Sequence, residues 1–147
     1  MGMEFGPDGT LYAVGDANPA SPAFNSLYSV DPTTGAFTLV GSTGVAPPAF
    51  FHDFAVDASG TIYGSTSQAI YTLDPKTATA TKLIDLVGGG GAGVMGLSFN
   101  ATHDRLYATE FKPGNSAFYE VNLQNGFVTP LGATGYPFAH ALVPATP

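Results

Sequence analysis

Residues 52–91 read HDFAVDASGTIYGSTSQAIYTLDPKTATATKLIDLVGGGG. Four short segments of alternating apolar residues lie in this stretch, around Phe54, Ile62, Tyr71 and Leu83. The breakers DASG, STSQ and DPKTA separate them. Alternation with a period of two puts one face of each segment on a core, and the breakers supply tight turns. The stretch therefore predicts one up-and-down sheet of four strands.

The same chemistry recurs on both sides. Phe5-Gly6-Pro7-Asp8-Gly9-Thr10-Leu11-Tyr12 matches Val56-Asp57-Ala58-Ser59-Gly60-Thr61-Ile62-Tyr63, and Leu27-Tyr28-Ser29-Val30-Asp31-Pro32 matches Ile70-Tyr71-Thr72-Leu73-Asp74-Pro75. Further on, Tyr107 matches Tyr63, Tyr119 matches Tyr71, and the THD turn carries one extra residue. In the Asp-Pro-x-Thr-Gly turns, Asp bonds its own backbone, Pro presets φ and Gly takes the left-handed position. Units spaced by 43 residues (Tyr28 to Tyr71) to 51 (Tyr12 to Tyr63) fall in the range of propeller blades. The expected fold is all-β and propeller-like within a single domain, 1–147. Its three four-stranded antiparallel blades span approximately 2–44, 52–91 and 95–135.

Composition agrees with many short strands. The 147 residues include 19 Gly and 12 Pro, only 10% are charged, and the Glu, Lys and Arg that favour helices are scarce. Four basic residues, none before Lys76, cannot form a polyanion-binding face, which argues against nucleic acid. A net charge of −7 disfavours anionic membranes, and no apolar run is long enough to span one. With no Cys, disulfides, thiol chemistry and Cys–zinc sites are excluded. The N-terminus has no basic region, so any export signal has been removed or was never included.

The tail YPFAHALVPATP adds a further strand. Ala141-Leu142-Val143-Pro144 lines up with Phe54-Ala55-Val56-Asp57, so an extra strand is expected over 138–144, although the first unit already has its own first strand, Met3-Glu4-Phe5. Three blades are too few to close a ring, and an open arc leaves apolar sheet faces wet and a strand unpaired. Two chains could complete a six-bladed ring, the surplus strand could pair into a neighbouring chain, or the sequence could belong to a longer propeller. If the strand is donated, Phe138, Ala139, His140, Ala141, Leu142 and Val143 form the interface.

The segments GMEFGPDGTLYAV (2–14) and SLYSVDPTTGAFTLVG (26–41) resemble the repeats of bacterial secreted β-propeller proteins, a broad group including NHL-like and related six- or seven-bladed repeats. HALVP (140–144) resembles the strand that precedes a C-terminal sorting tail in exported proteins of that type. The resemblance covers nearly the whole chain and implies an extracellular or cell-surface location in bacteria. It carries fold and no activity. With no Trp at all, WD40 repeats are disfavoured.

Catalytic motifs are missing: there is no GxSxG, and Gly88 to Gly91 lacks the Lys-Ser/Thr ending of a phosphate loop. His52 and His140 lie near the first strands of their units, the end that tends to line a propeller's channel. With Asp53 and Glu4 they are candidates for a metal or acid/base cluster, though their spacing is not a metal motif. His103 falls in a turn and reads as solvated. Calcium needs alternating oxygens closed by an acid, and Asp16-Ala17-Asn18 only begins such a loop. Asn100-Ala101-Thr102 is a glycosylation sequon. The expectation is a non-enzymatic structural or adhesive module, without a cofactor, whose partner is itself. A metal-dependent hydrolase, lactonase or lyase and a glycan-binding module reading the loop from Asp16 to Asn25 are the alternatives.

Overall fold

The computed structural model describes residues 2–15, 17–88, 93–110 and 116–135. They form twelve strands in three antiparallel sheets, each a simple meander in chain order. The first blade holds β1 (Met3–Phe5), β2 (Leu11–Gly15), β3 (Ser26–Val30) and β4 (Phe37–Ser42). The second holds β5 (Asp53–Val56), β6 (Ile62–Ser65), β7 (Ala69–Leu73) and β8 (Ala80–Asp85). The third holds β9 (Val94–Phe99), β10 (Leu106–Glu110), β11 (Ala117–Val121) and β12 (Val128–Ala133). No described helix is long and apolar enough to cross a membrane. The strand expected over 138–144, with Phe138, Ala139, His140, Ala141, Leu142 and Val143, lies outside the described residues.

The turns work as their residues dictate. Asp31 Oδ1 accepts the Thr33 N–H at 2.8 Å, and Asp74 Oδ1 accepts that of Lys76 at 2.7 Å. Gly35, Ala78 and Gly126 occupy the same left-handed position, at φ 71°, 65° and 74°. In the first turns Gly9 and Gly60 hold that conformation, and His103 adopts it in the third blade. One repeated feature is not visible in the alternation: every third-to-fourth strand pair carries a bulge, at Leu27/Tyr28, Ile70/Tyr71 and Phe118/Tyr119. The extra residue bends the outer strand and increases its twist.

Cross-strand partners assign residues to faces. Met3, Ala13, Tyr28 and Leu39 lie opposite one another on one face of the first blade, with Phe5, Leu11, Val30 and Phe37 beside them. The matching face of the second blade (Phe54, Val56, Ile62, Tyr71, Leu73) packs on Tyr12, Val14 and Leu27 of the first. The matching face of the third (Leu97, Phe99, Leu106, Ala108, Tyr119, Val121) packs on Ala55, Tyr63 and Ile70 of the second. Each blade thus covers its successor. Phe54, Leu27, Ile62, Ile70, Leu97 and Leu106 are the fully buried anchors of these two cores. At about 2 kcal/mol per buried side chain, their removal from water is the main term holding the blades together.

Outer edges add a second contact. The Ala80 N–H donates to the Thr43 carbonyl at 2.9 Å, and that of Val128 to the Val87 carbonyl at the same distance. Each last turn therefore rests on the end of the preceding blade's outer strand. Space is tight there: a Cβ on Gly41 would lie 2.9 Å from the Thr77 carbonyl, and one on Gly126 would overlap that of Asp85.

Candidate functional site

The innermost strands β1, β5 and β9 lie side by side, and Glu4 of the first and Asp53 of the second come together between them. Register makes Gly2, Asp53 and Gly96 equivalent, since their partners lie at equivalent points on β2, β6 and β10. Only the middle blade has a side chain there. The Asp53 carboxylate lies against Gly2 of the first blade, where a Cβ would overlap Oδ1, and its Oδ2 accepts the Leu97 N–H of the third at 2.9 Å. One half-buried side chain thus ties three inner strands together.

Glu4 joins it. Its equivalents are Ala55 and Ser98, on the face that meets the following blade, so its carboxylate enters the seam beside Asp53. Burial, and then repulsion from Asp53, push the Glu4 carboxyl up to about 7. Burial also raises Asp53 to about 6, although the Leu97 N–H opposes it. Two carboxyls poised near neutrality can exchange a proton or share a cation.

The other candidates are placed differently. The His52 ring tilts against Phe50 with centroids 4.5 Å apart, and the His52 backbone N–H donates to the Ser65 carbonyl at 2.9 Å. Burial lowers its pKa, favouring neutral imidazole. His140 and Asp16 lie outside the described residues. Among the described residues no three His, Asp or Glu side chains group closely enough to hold a metal ion. His103 sits 6.1 Å from Phe99, ring to ring, in an exposed turn. Asn100, the sequon residue, is committed to its own turn: Nδ2 donates to Thr102 and Asp104 at 2.8 and 2.7 Å, and Oδ1 accepts the N–H groups of Asp104 and Arg105.

Glu110 was not singled out in the sequence. It is 3% exposed, and Oε2 accepts the Tyr119 hydroxyl at 2.5 Å. The signal was present in LYATE (106–110), where an acid closes an apolar strand; its burial depends on β11, which the strand pattern does not reveal.

No family model and no curated protein matches the sequence. Solved structures do match. A chain of the nidogen–laminin complex superposes with a TM-score of 0.65 at 17% identity, covering 96% of this chain and 51% of that one. Virginiamycin B lyase from Staphylococcus aureus gives 0.62 at 12% identity, covering 95% and 43%. A gluconolactonase from Xanthomonas campestris gives 0.52 at 21%, covering 74% and 34%. This chain spans about half the length of those structures or less. At these identities the likeness concerns the fold alone, and it is the β-propeller: three four-stranded antiparallel sheets stacked as blades.

Proposed function

We propose that this chain is an extracellular, non-enzymatic structural or adhesive propeller module that acts by associating with copies of itself. The observation that carries this reading is the apolar face of the first blade. On its two edge strands Met3, Phe5, Phe37 and Leu39 are 62%, 56%, 53% and 59% exposed, with Ala13 and Val30 buried between them, whereas the matching faces of the other blades are buried cores. An apolar patch of this kind marks an interaction surface. The charge-poor, Gly- and Thr-rich composition and the resemblance to secreted repeats support a place outside the cell.

Light scattering on the purified chain tests the reading, with a mass above 15.0 kDa expected at micromolar concentration. Deleting residues 136–147 tests whether the C-terminal segment is donated, in which case assembly is lost. A second reading, a metal-dependent hydrolase, lactonase or lyase, is supported by Glu4 and Asp53 at the inner strand ends and by the two enzymes among the structural neighbours. Stoichiometric metal in purified protein, lost in Asp53→Ala, would favour it over the module.

A further inference from the structure

We infer that the first blade's apolar face, exposed at Met3, Phe5, Phe37 and Leu39, is the seat for the third blade of a second copy, so that two chains close a six-bladed ring through two identical seams. The inference rests on the self-association reading and deepens it by naming the surfaces. Within one chain the blade-to-blade seam has already been built twice, and its parts recur, unpaired, at the two ends of the arc.

The aromatic contact comes first. In the seam between the second and third blades, Tyr63 meets Phe99 edge-on, with centroids 5.3 Å apart. Register makes Tyr107 the equivalent of Tyr63, and Phe5 that of Phe99. Tyr107 therefore faces away from the second blade, stacked on Phe118 at 5.3 Å, and Phe5 faces away at the other end. Among the described residues neither meets the seam partner that Tyr63 and Phe99 find in each other, and a second copy would supply both.

The outer latch recurs in the same way. Gly41 lies under the Thr77 carbonyl of the next blade's turn, too close for a Cβ. Its equivalent in the third blade is Gly132, paired with Phe118 as Gly41 is paired with Leu27. A Cβ at Gly132 meets nothing within 4 Å. The turn that would descend on it is Asp31–Gly35, the counterpart of Asp74–Ala78, and Gly35 is equally open. A bare glycine at one end and a free turn at the other are the two halves of the latch seen at Gly41.

The occupant is a second copy because the surface is specific to a blade of this kind. It is one sheet wide and apolar from Met3 and Phe5 across to Phe37 and Leu39, with Ser26 and Ser42 at one end, and its seam chemistry matches the far end of the described arc. The seam joins unlike surfaces, and two-fold symmetry makes it twice.

Gly132→Val and Leu39→Lys test this, because both sites are open in the protomer and circular dichroism can verify that each variant folds. The wild type is expected at twice the mass of the 15.0 kDa chain by light scattering. Each variant alone should dissociate at least tenfold more readily, since both of its seams are damaged. An equimolar mixture should regain the dimer, because one seam then joins two intact surfaces. A wild type that is monomeric at every concentration overturns the self-association reading and this inference together. A wild-type dimer that Gly132→Val leaves intact overturns only the seam, and masses that keep growing with concentration overturn the closed ring.

Discussion

Because Glu4 and Asp53 are held in the seam with raised pKa values, the protein should lose stability as pH rises toward neutrality, the reverse of ordinary acid denaturation. Glu4 moves from 4.5 to about 7 and Asp53 from 3.8 to about 6. The folded chain therefore binds more protons than the unfolded chain between about pH 4 and 7, and stability must fall across that window as pH increases. Fully shielded, each shift would correspond to about 3 kcal/mol at 1.36 kcal/mol per unit. Both carboxyls are only half-buried, and solvent screening reduces this to about 1–2 kcal/mol each. Together they lower the melting temperature by about 4–16 °C across that window, most of it above pH 5, at about 2–4 °C per kcal/mol for a chain of this size. Thermal unfolding followed by tyrosine circular dichroism measures it directly, and Glu4→Gln should flatten the slope and raise stability at pH 7.5. A melting temperature that is flat or climbs from pH 5 to 7.5 would show that the two carboxyls are hydrated and not enclosed.

At lower pH the turns reverse the trend. Backbone donors hold Asp8, Asp31 and Asp74 below the usual carboxylate range, so their contribution is present above the unfolded pKa and lost as pH falls through the folded one. The melting temperature should pass through a maximum near pH 4, where the two trends cross. Gly126→Ala should cost about 3 kcal/mol, because it forces a Cβ onto the Asp85 carbonyl at positive φ, and urea unfolding would read the loss. His103→Gly should add about 0.5–1 kcal/mol by relieving a left-handed non-glycine residue in an exposed turn. Phe54→Ala should remove about 3–5 kcal/mol, since that ring is a fully buried anchor between the first two blades.

What could be read from the sequence was local. Alternation around Phe54, Ile62, Tyr71 and Leu83 marks four strands because a half-buried strand must alternate. The aspartate turns announce themselves because their bonds span two or three residues, as at Asp31 and Asp74. Equating Tyr63 with Tyr107 and Tyr71 with Tyr119 gave the repeat, and with it the faces. The bulge opposite Tyr28, Tyr71 and Tyr119 was hidden because one extra residue leaves the period unchanged over so short a strand. The candidate site was half legible. Asp53 was singled out for its place near a first strand, but its partners are 44 and 51 residues away, and only the stacking of blades brings Leu97 and Gly2 to it. Burial of Glu110 under Tyr119 has the same long-range origin.

The way the repeat is broken at this inner position bears on how the arc is used. Gly2, Asp53 and Gly96 stand at one level, and a carboxylate occupies only the middle one, with a glycine on either side. Gly2 has to be bare, because a Cβ there would overlap Asp53. A charged residue in every blade would bring like charges to adjacent inner strands, and the repulsion already felt by Glu4 shows what that costs. Glycines at the two flanking positions add no further charge beside Asp53 and leave it the Leu97 N–H. In a two-copy ring the pattern reads Gly-Asp-Gly twice, placing glycines on both sides of each new seam. The inner level therefore offers no side chain to obstruct the third blade's approach to the first. Gly96→Asp tests the point: assembly should weaken at pH 8 and recover at pH 5, where protonation removes the repulsion, and a dimer indifferent to pH in that variant would separate the inner level from assembly.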